Sequence, residues 1–154
     1  MLGGSHVAAT RARKFLMALS ENCTHMGPSG AGQTTKLINQ VLCGLGFVAI
    51  AEATKLAQDA GVDAAKIPAA LKGGRADSAL LQEYMPRYAN KDYAPTGRID
   101  NMVKDLDAAQ ALARSTGTAM PLTVLCAELH RYMTTAGYGA EDQAMMMEYW
   151  QSRE

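Results

Sequence analysis

Lys36, Asn39 and Gln40 follow three closely spaced glycines, Gly27, Gly30 and Gly32, and the pattern after them is helical. Residues three and four apart are neighbours on a helix, so the ammonium and the two amides share one face. A lysine brought near an apolar cleft gives up its proton more readily than one in water, and its cationic form steadies an oxyanion. The two amides, one turn on, can hydrogen-bond a hydroxyl or a carboxylate. Gly30 and Gly32 would let a small acid approach the helix start, whose N–H groups and positive dipole end favour an anion.

Taken alone, the segment admits three readings. In the first it is a glycine turn that starts a core helix, with Lys36 reaching out to solvent. In the second it is a phosphate loop, because Gly27 and Gly32-Gln33-Thr34 follow the spacing G-x-x-x-x-G-K-[ST] except where Gln33 replaces the lysine that would reach the phosphates. That reading also lacks the parallel strands that should follow. The third rests on the rest of the chain.

The elements that must hold these residues are mostly helices. Ser5 is placed to cap a helix from about His6 to Leu19, with Val7, Phe15, Leu16 and Leu19 as its apolar side. An extended piece, Asn22 to Met26, leads to the glycine turn. The spacing then predicts one long helix from about Ala31 to Ala60, apolar nearly all round and stopped by Gly61. A helix of that kind is expected to be buried on every side, which in so small a chain implies a second subunit. Asp63 and Ser78 are placed to cap two further helices, to about Lys72 and Tyr88. Others are predicted from Ile99 to Thr116, Pro121 to Ala136 and Ala140 to Trp150. No strand alternation appears after Met26, and no internal repeat is present.

Composition narrows the function classes. Fifteen basic and fifteen acidic residues cancel without clustering, which argues against a nucleic-acid partner or an anionic membrane surface. Cys23, Cys43 and Cys126 are an odd number at wide spacings, so a disulfide framework or a zinc site is not expected; reduced thiols in the cytoplasm are. The apolar run from Val41 to Ala53 is too short to span a bilayer and contains Glu52. The basic residues near the start precede no apolar segment of the signal-peptide kind. Ten methionines beside two phenylalanines point to a helical core filled with flexible side chains.

Five strings, in order along the chain, resemble the β-hydroxyacid dehydrogenases, the family of 3-hydroxyisobutyrate dehydrogenase and tartronate semialdehyde reductase and, more distantly, of 6-phosphogluconate dehydrogenase. Residues 27–40 resemble its inter-domain signature, roughly G-x-x-G-x-G-x-x-x-K-x-x-N-[NQ]. Ala51-Glu52-Ala53 with Gly61-Val62-Asp63 resembles its A-E-A and A-G-[VLA]-D steps. Leu71, Gly73, Gly74 and Ser78 resemble its L-x-G-G-x-x-x-S turn. Lys104-Asp105-Leu106 resembles its K-D-L helix, and Gly137, Gly139 and Asp142 its closing G-x-G-x-x-D. Residues 1–26, with Leu2-Gly3-Gly4 and Thr24-His25-Met26, resemble the end of that family's Rossmann domain.

The resemblance implies a mainly α fold, a 6-phosphogluconate dehydrogenase C-terminal-like helical bundle with a long central helix. A short βαβ remnant of a Rossmann domain (1–26) would precede the C-terminal substrate and oligomerisation domain (27–154). It implies hydride transfer between a nicotinamide cofactor, NAD or NADP, and a small β-hydroxy acid of the 3-hydroxyisobutyrate or 2-hydroxy-3-oxopropionate type. Lys36 would exchange the proton or stabilise the alkoxide. Gly30, Gly32, Asn39 and Gln40 would face substrate, and Lys104 would lie by the cofactor. Gln40 stands where many members carry Asn, and Gly97 where relatives often carry an aromatic residue. Asp142 reads mainly as a helix-start residue, and His25 and His130 as core or surface residues. No metal is implied. A homo-oligomer, dimer or tetramer, would form through the long helix. The G-x-G-x-x-G motif of a cofactor domain does not occur here, so the isolated chain is expected to be inactive, half of an enzyme. The rival reading is a non-catalytic helical oligomerisation module that kept the pocket.

Overall fold

A computed structural model describes residues 1–151. Two short strands, β1 (Leu2–Gly3) and β2 (His25–Gly27), pair in parallel with helix α1 (His6–Leu16) between them. The rest is helical: α2 (Ala31–Asp59), α3 (Ile67–Leu71), α4 (Ala79–Asn90), α5 (Ile99–Thr116) and α6 (Pro121–Met133). A 3₁₀ turn, Ala64–Lys66, precedes α3. A π-helical turn, Thr134–Tyr138, follows α6, and a 3₁₀ helix, Gln143–Trp150, closes the described chain. The expected mainly α bundle on a small βαβ unit is what the chain forms.

Local chemistry explains most of the boundaries. Ser5, Asp63 and Ser78 each accept a bond from a first-turn amide, at Ala8, Ala65 and Leu81, satisfying donors that have no partner inside the helix. Three ends differ from expectation. Helix α1 stops at Leu16, and residues 17–19 continue only as a turn. Helix α6 stops at Met133, where the backbone widens to π geometry before Gly137 takes a left-handed φ of 98°. The last element is 3₁₀ and starts at Gln143, because Asp142 caps it by accepting from Ala144.

Helix α2 is the axis of the bundle. Its buried side, Phe47, Ile50 and Ala51, meets Leu81, Tyr84, Met85 and Tyr88 of α4, Met102 and Leu106 of α5, Cys126 and Ala127 of α6, and Met147. At Gly44 the approach is close: a Cβ there would stand 3.2 Å from both Leu106 and Met102. Its full length is apolar enough to cross a bilayer by length and composition, more than residues 41–53 alone suggested. It serves as a core helix here, flanked by α4, α5, α6 and the closing 3₁₀ helix.

Burial on all sides is not found. Ile38, Leu42 and Leu56 of α2 are more than half exposed, as are Val7, Phe15 and Leu19 around α1, where only Ala9 is buried. Within this chain two residues of β1 and three of β2 offer α1 too little surface to cover its apolar side.

Candidate active site

The site forms where the βαβ unit meets the start of α2. Gly3 and Gly32 touch backbone to backbone, and a Cβ on Gly3 would stand 2.8 Å from the Gly32 amide nitrogen. The lack of a side chain at Gly32 therefore admits strand β1 to the helix start. Gly30 is the N-cap residue, with a left-handed φ of 92° that glycine adopts without strain, and it has no side chain to shield the first-turn N–H groups. Met1, Leu2, Gly3, Gly30, Gly32, Gln33 and Lys36 line a cleft of about 420 Å³ over that helix start.

Lys36 is about one-third exposed at the cleft and forms an ion pair with Asp105 of α5. The same carboxylate oxygen, Oδ2, accepts a bond of 2.9 Å from Gln40 Nε2. Lys36, Gln40 and Gly44 are spaced four apart on one stripe of α2, and the close packing at Gly44 presses that stripe onto α5. Asp105, only 8% exposed, is thereby anchored on both sides. A buried carboxylate is costly unless paired and hydrogen-bonded, and this one is both.

The two amides form a directed chain. Gln40 donates its NH₂ to Asp105, and its Oε1 accepts from Asn39 Nδ2 at 3.0 Å. Asn39 Nδ2 also donates to Cys43 Sγ at 3.6 Å. Burial raises the Cys43 thiol above its ordinary range, against the opposing effect of that bond, so at neutral pH it stays protonated and is no nucleophile.

Lys36, Gly30 and Gly32 thus converge on one cleft, and Gln40 joins Lys36 through Asp105. Asn39 is exposed and outside the cleft lining. Lys104 is also exposed; a helix turns about 100° per residue, so it sits on a different face from Asp105, and its charge acts on Asp100. Asp105 is the residue that sequence reasoning passed over. Its signal was a charge set among Met102, Leu106 and Ala109, the buried face of α5. Among the described residues no group of His, Cys, Asp and Glu could hold a metal ion.

Asp142, which closes the loop leading into α5, is a structural carboxylate. It accepts from the Thr96 and Gly97 amides and the Thr96 hydroxyl, and its Oδ1 meets Arg87 at 3.1 Å. His130 is wholly buried, with Nδ1 at 2.8 Å from the Cys126 carbonyl and Nε2 at 3.1 Å from Gln143; burial lowers its basicity. His25 is exposed, and its Nε2 meets the Gly4 carbonyl at 2.8 Å.

The chain is thus a helical bundle about a long glycine-started helix, whose lysine pairs across to a buried carboxylate. Residues 30–150 match the family profile described as NAD-binding of NADP-dependent 3-hydroxyisobutyrate dehydrogenase, and the chain belongs to that family. It is 30% identical over 148 residues to 2-hydroxy-3-oxopropionate reductase of Escherichia coli, covering 96% of this chain and 51% of that protein. It superposes on a 3-hydroxyisobutyrate dehydrogenase from Salmonella typhimurium with a TM-score of 0.86 at 30% identity, over 96% of this chain and 52% of that one. The Mycobacterium tuberculosis 3-hydroxyisobutyrate dehydrogenase, solved with L-serine, gives 0.88 at 26% identity, over 99% and 54%. The chain spans about half the length of the curated relatives it matches.

Proposed function

We propose that this chain is the substrate-side half of an NAD- or NADP-dependent dehydrogenase acting on a small β-hydroxy acid, with Lys36 as its acid–base residue. The observation that carries this reading is the cleft at a helix start with Lys36 at its rim, held by Asp105. A hydroxyl placed there can pass its proton to the Lys36 amine as the adjoining carbon loses hydride. In the reverse direction the Lys36 ammonium returns the proton to the forming alkoxide. Asp105 positions Lys36 through the ion pair. Gly30 and Gly32 place no side chain between a carboxylate and the helix start, where the Ala31 amide already bonds to the Pro28 carbonyl at 3.0 Å. Asn39 and Gln40 extend the polar face beside them.

The cofactor, when bound, accepts or supplies the hydride. The residues that would meet it are those of the cleft wall, Gly30 and Gly32, whereas Lys104 is an exposed cation on another face of α5. They include no glycine-rich phosphate turn of the G-x-G-x-x-G kind, so in this reading residues 1–26 close a Rossmann domain, residues 27–154 form the helical domain, and this chain alone does not turn over. The exposed apolar stripe through Ile38 and Leu42 supports assembly through α2. The three free cysteines, Cys23, Cys43 and Cys126, fit a reducing cytoplasm.

The test joins the chain to a dinucleotide-binding domain of a relative and assays a panel of β-hydroxy acids with both cofactors. Turnover that falls about a thousandfold in Lys36→Ala is the expected result. Undiminished turnover in that variant overturns the role of Lys36, and turnover by the chain alone overturns its inactivity.

A further inference from the structure

A second cavity, sharing no residue with the cleft at Lys36, lies between the end of α6 and the closing 3₁₀ helix. Its volume is about 460 Å³, within the range of small-molecule sites. Tyr132, Tyr138, Tyr149, Glu148 and Gln151 form its polar and aromatic wall, and among the described residues no lysine, arginine or histidine lines it. The rings of Tyr132 and Tyr149 stand perpendicular, at 88°, with centroids 5.3 Å apart. Trp150 supports Tyr149 edge-on, at 4.9 Å and 72°. The Tyr93 hydroxyl bonds to Glu148 and fixes the carboxylate in place. Tyr132 and Tyr149 remain 41% and 42% exposed, so the cavity is open to a ligand.

Ring faces carry negative electrostatic potential, and a carboxylate adds a full charge of the same sign. Tyr132, Tyr138 and Tyr149 bring three such rings to the wall of one cavity. Such a wall attracts a cation, and its only full charge, that of Glu148, repels an anion. Among cations, one with alkyl groups on nitrogen loses least hydration on entering and fills the space between rings. We propose that this cavity binds a small organic cation of the alkylated ammonium class.

Trp150 is the only tryptophan, so its emission reports on Tyr149 and the cavity directly. Titration with choline should give a saturable change with a Kd of about a millimolar. Glu148→Gln should weaken binding about tenfold, and Tyr149→Leu should abolish it with the helical circular dichroism unchanged. If Tyr149→Leu does not fold, Tyr138→Leu is the second variant, and should weaken binding likewise. Dimethylbutanol, the neutral isostere of choline, should bind much more weakly. No saturable response to choline, equal binding of the neutral isostere, or indifference to Glu148→Gln would each overturn the proposal.

Discussion

At the scale of single residues, Asp105 decides what Lys36 can do. Its carboxylate pairs with Lys36 from α5 and also accepts from Gln40, so it fixes where the lysine side chain points. Replacing Asp105 by Asn keeps the shape and removes the charge. We expect Asp105→Asn, in the chain joined to a relative's dinucleotide-binding domain, to lower the turnover rate about tenfold, because Lys36 loses the partner that orients it. An unchanged rate would mean that the ion pair does not govern the amine. Helical spacing made the shared face of Lys36, Asn39 and Gln40 readable from sequence. It could not show that Gln40 turns its NH₂ inward to α5, because that depends on a partner 65 positions away. For the same reason Lys104, flagged by the K-D-L string, lies on another face, while its neighbour Asp105 enters the site.

At the scale of elements, the loop between α4 and α5 is held by Arg87 and Asp142. Burial by itself would raise the Asp142 carboxyl; the amides of Ala144, Gly97 and Thr96 and the Thr96 hydroxyl outweigh it and hold the group below the usual carboxylate range. A carboxyl depressed in the folded state stabilises fully above its unfolded value, near pH 4, and that stability is lost as pH falls through the lower folded value. Urea unfolding of the wild type should therefore weaken below about pH 4, and Asp142→Asn should show a flatter dependence there. At neutral pH that variant should be less stable by about 3 kcal/mol, because it leaves the buried Arg87 guanidinium with Asp92, at 3.6 Å, as its remaining charged partner. Identical pH curves would assign the acid sensitivity elsewhere. Caps at Ser5, Asp63 and Ser78 were legible because side chain and amide lie within three residues. The 3₁₀ geometry after Asp142 was not, since pairing across the chain sets it.

At the scale of the whole molecule, apolar surface is left uncovered along α2. A groove of about 540 Å³ runs between α2 and α5, lined by Leu37, Ile38, Val41, Leu42, Ala113 and Met120 among others. Ile38 is 55% exposed and Leu42 67%, although they sit on the longest helix of the bundle. Contiguous apolar patches of that kind mark contact surfaces. The proposed homo-oligomer predicts a sedimenting species of at least two chains, and Leu42→Glu should shift it toward monomer. A well-folded wild-type monomer at micromolar concentration would remove the proposal. The amount of apolar sequence in α2 could be read in advance; which part of it the neighbouring helices leave bare could not.

The separation of Gln40 from Asp105 also has a meaning in time. A ribosome adding about 5–20 residues per second delivers Asp105 between roughly 3 and 13 seconds after Gln40, the nearer of its two partners on α2. During that interval the lysine and two amides of α2 exist without their carboxylate, and Phe47 first waits for Tyr84 of α4. The same 65-residue span that unites the site in the finished molecule is a stretch of synthesis in which the longest apolar helix must wait for its partner.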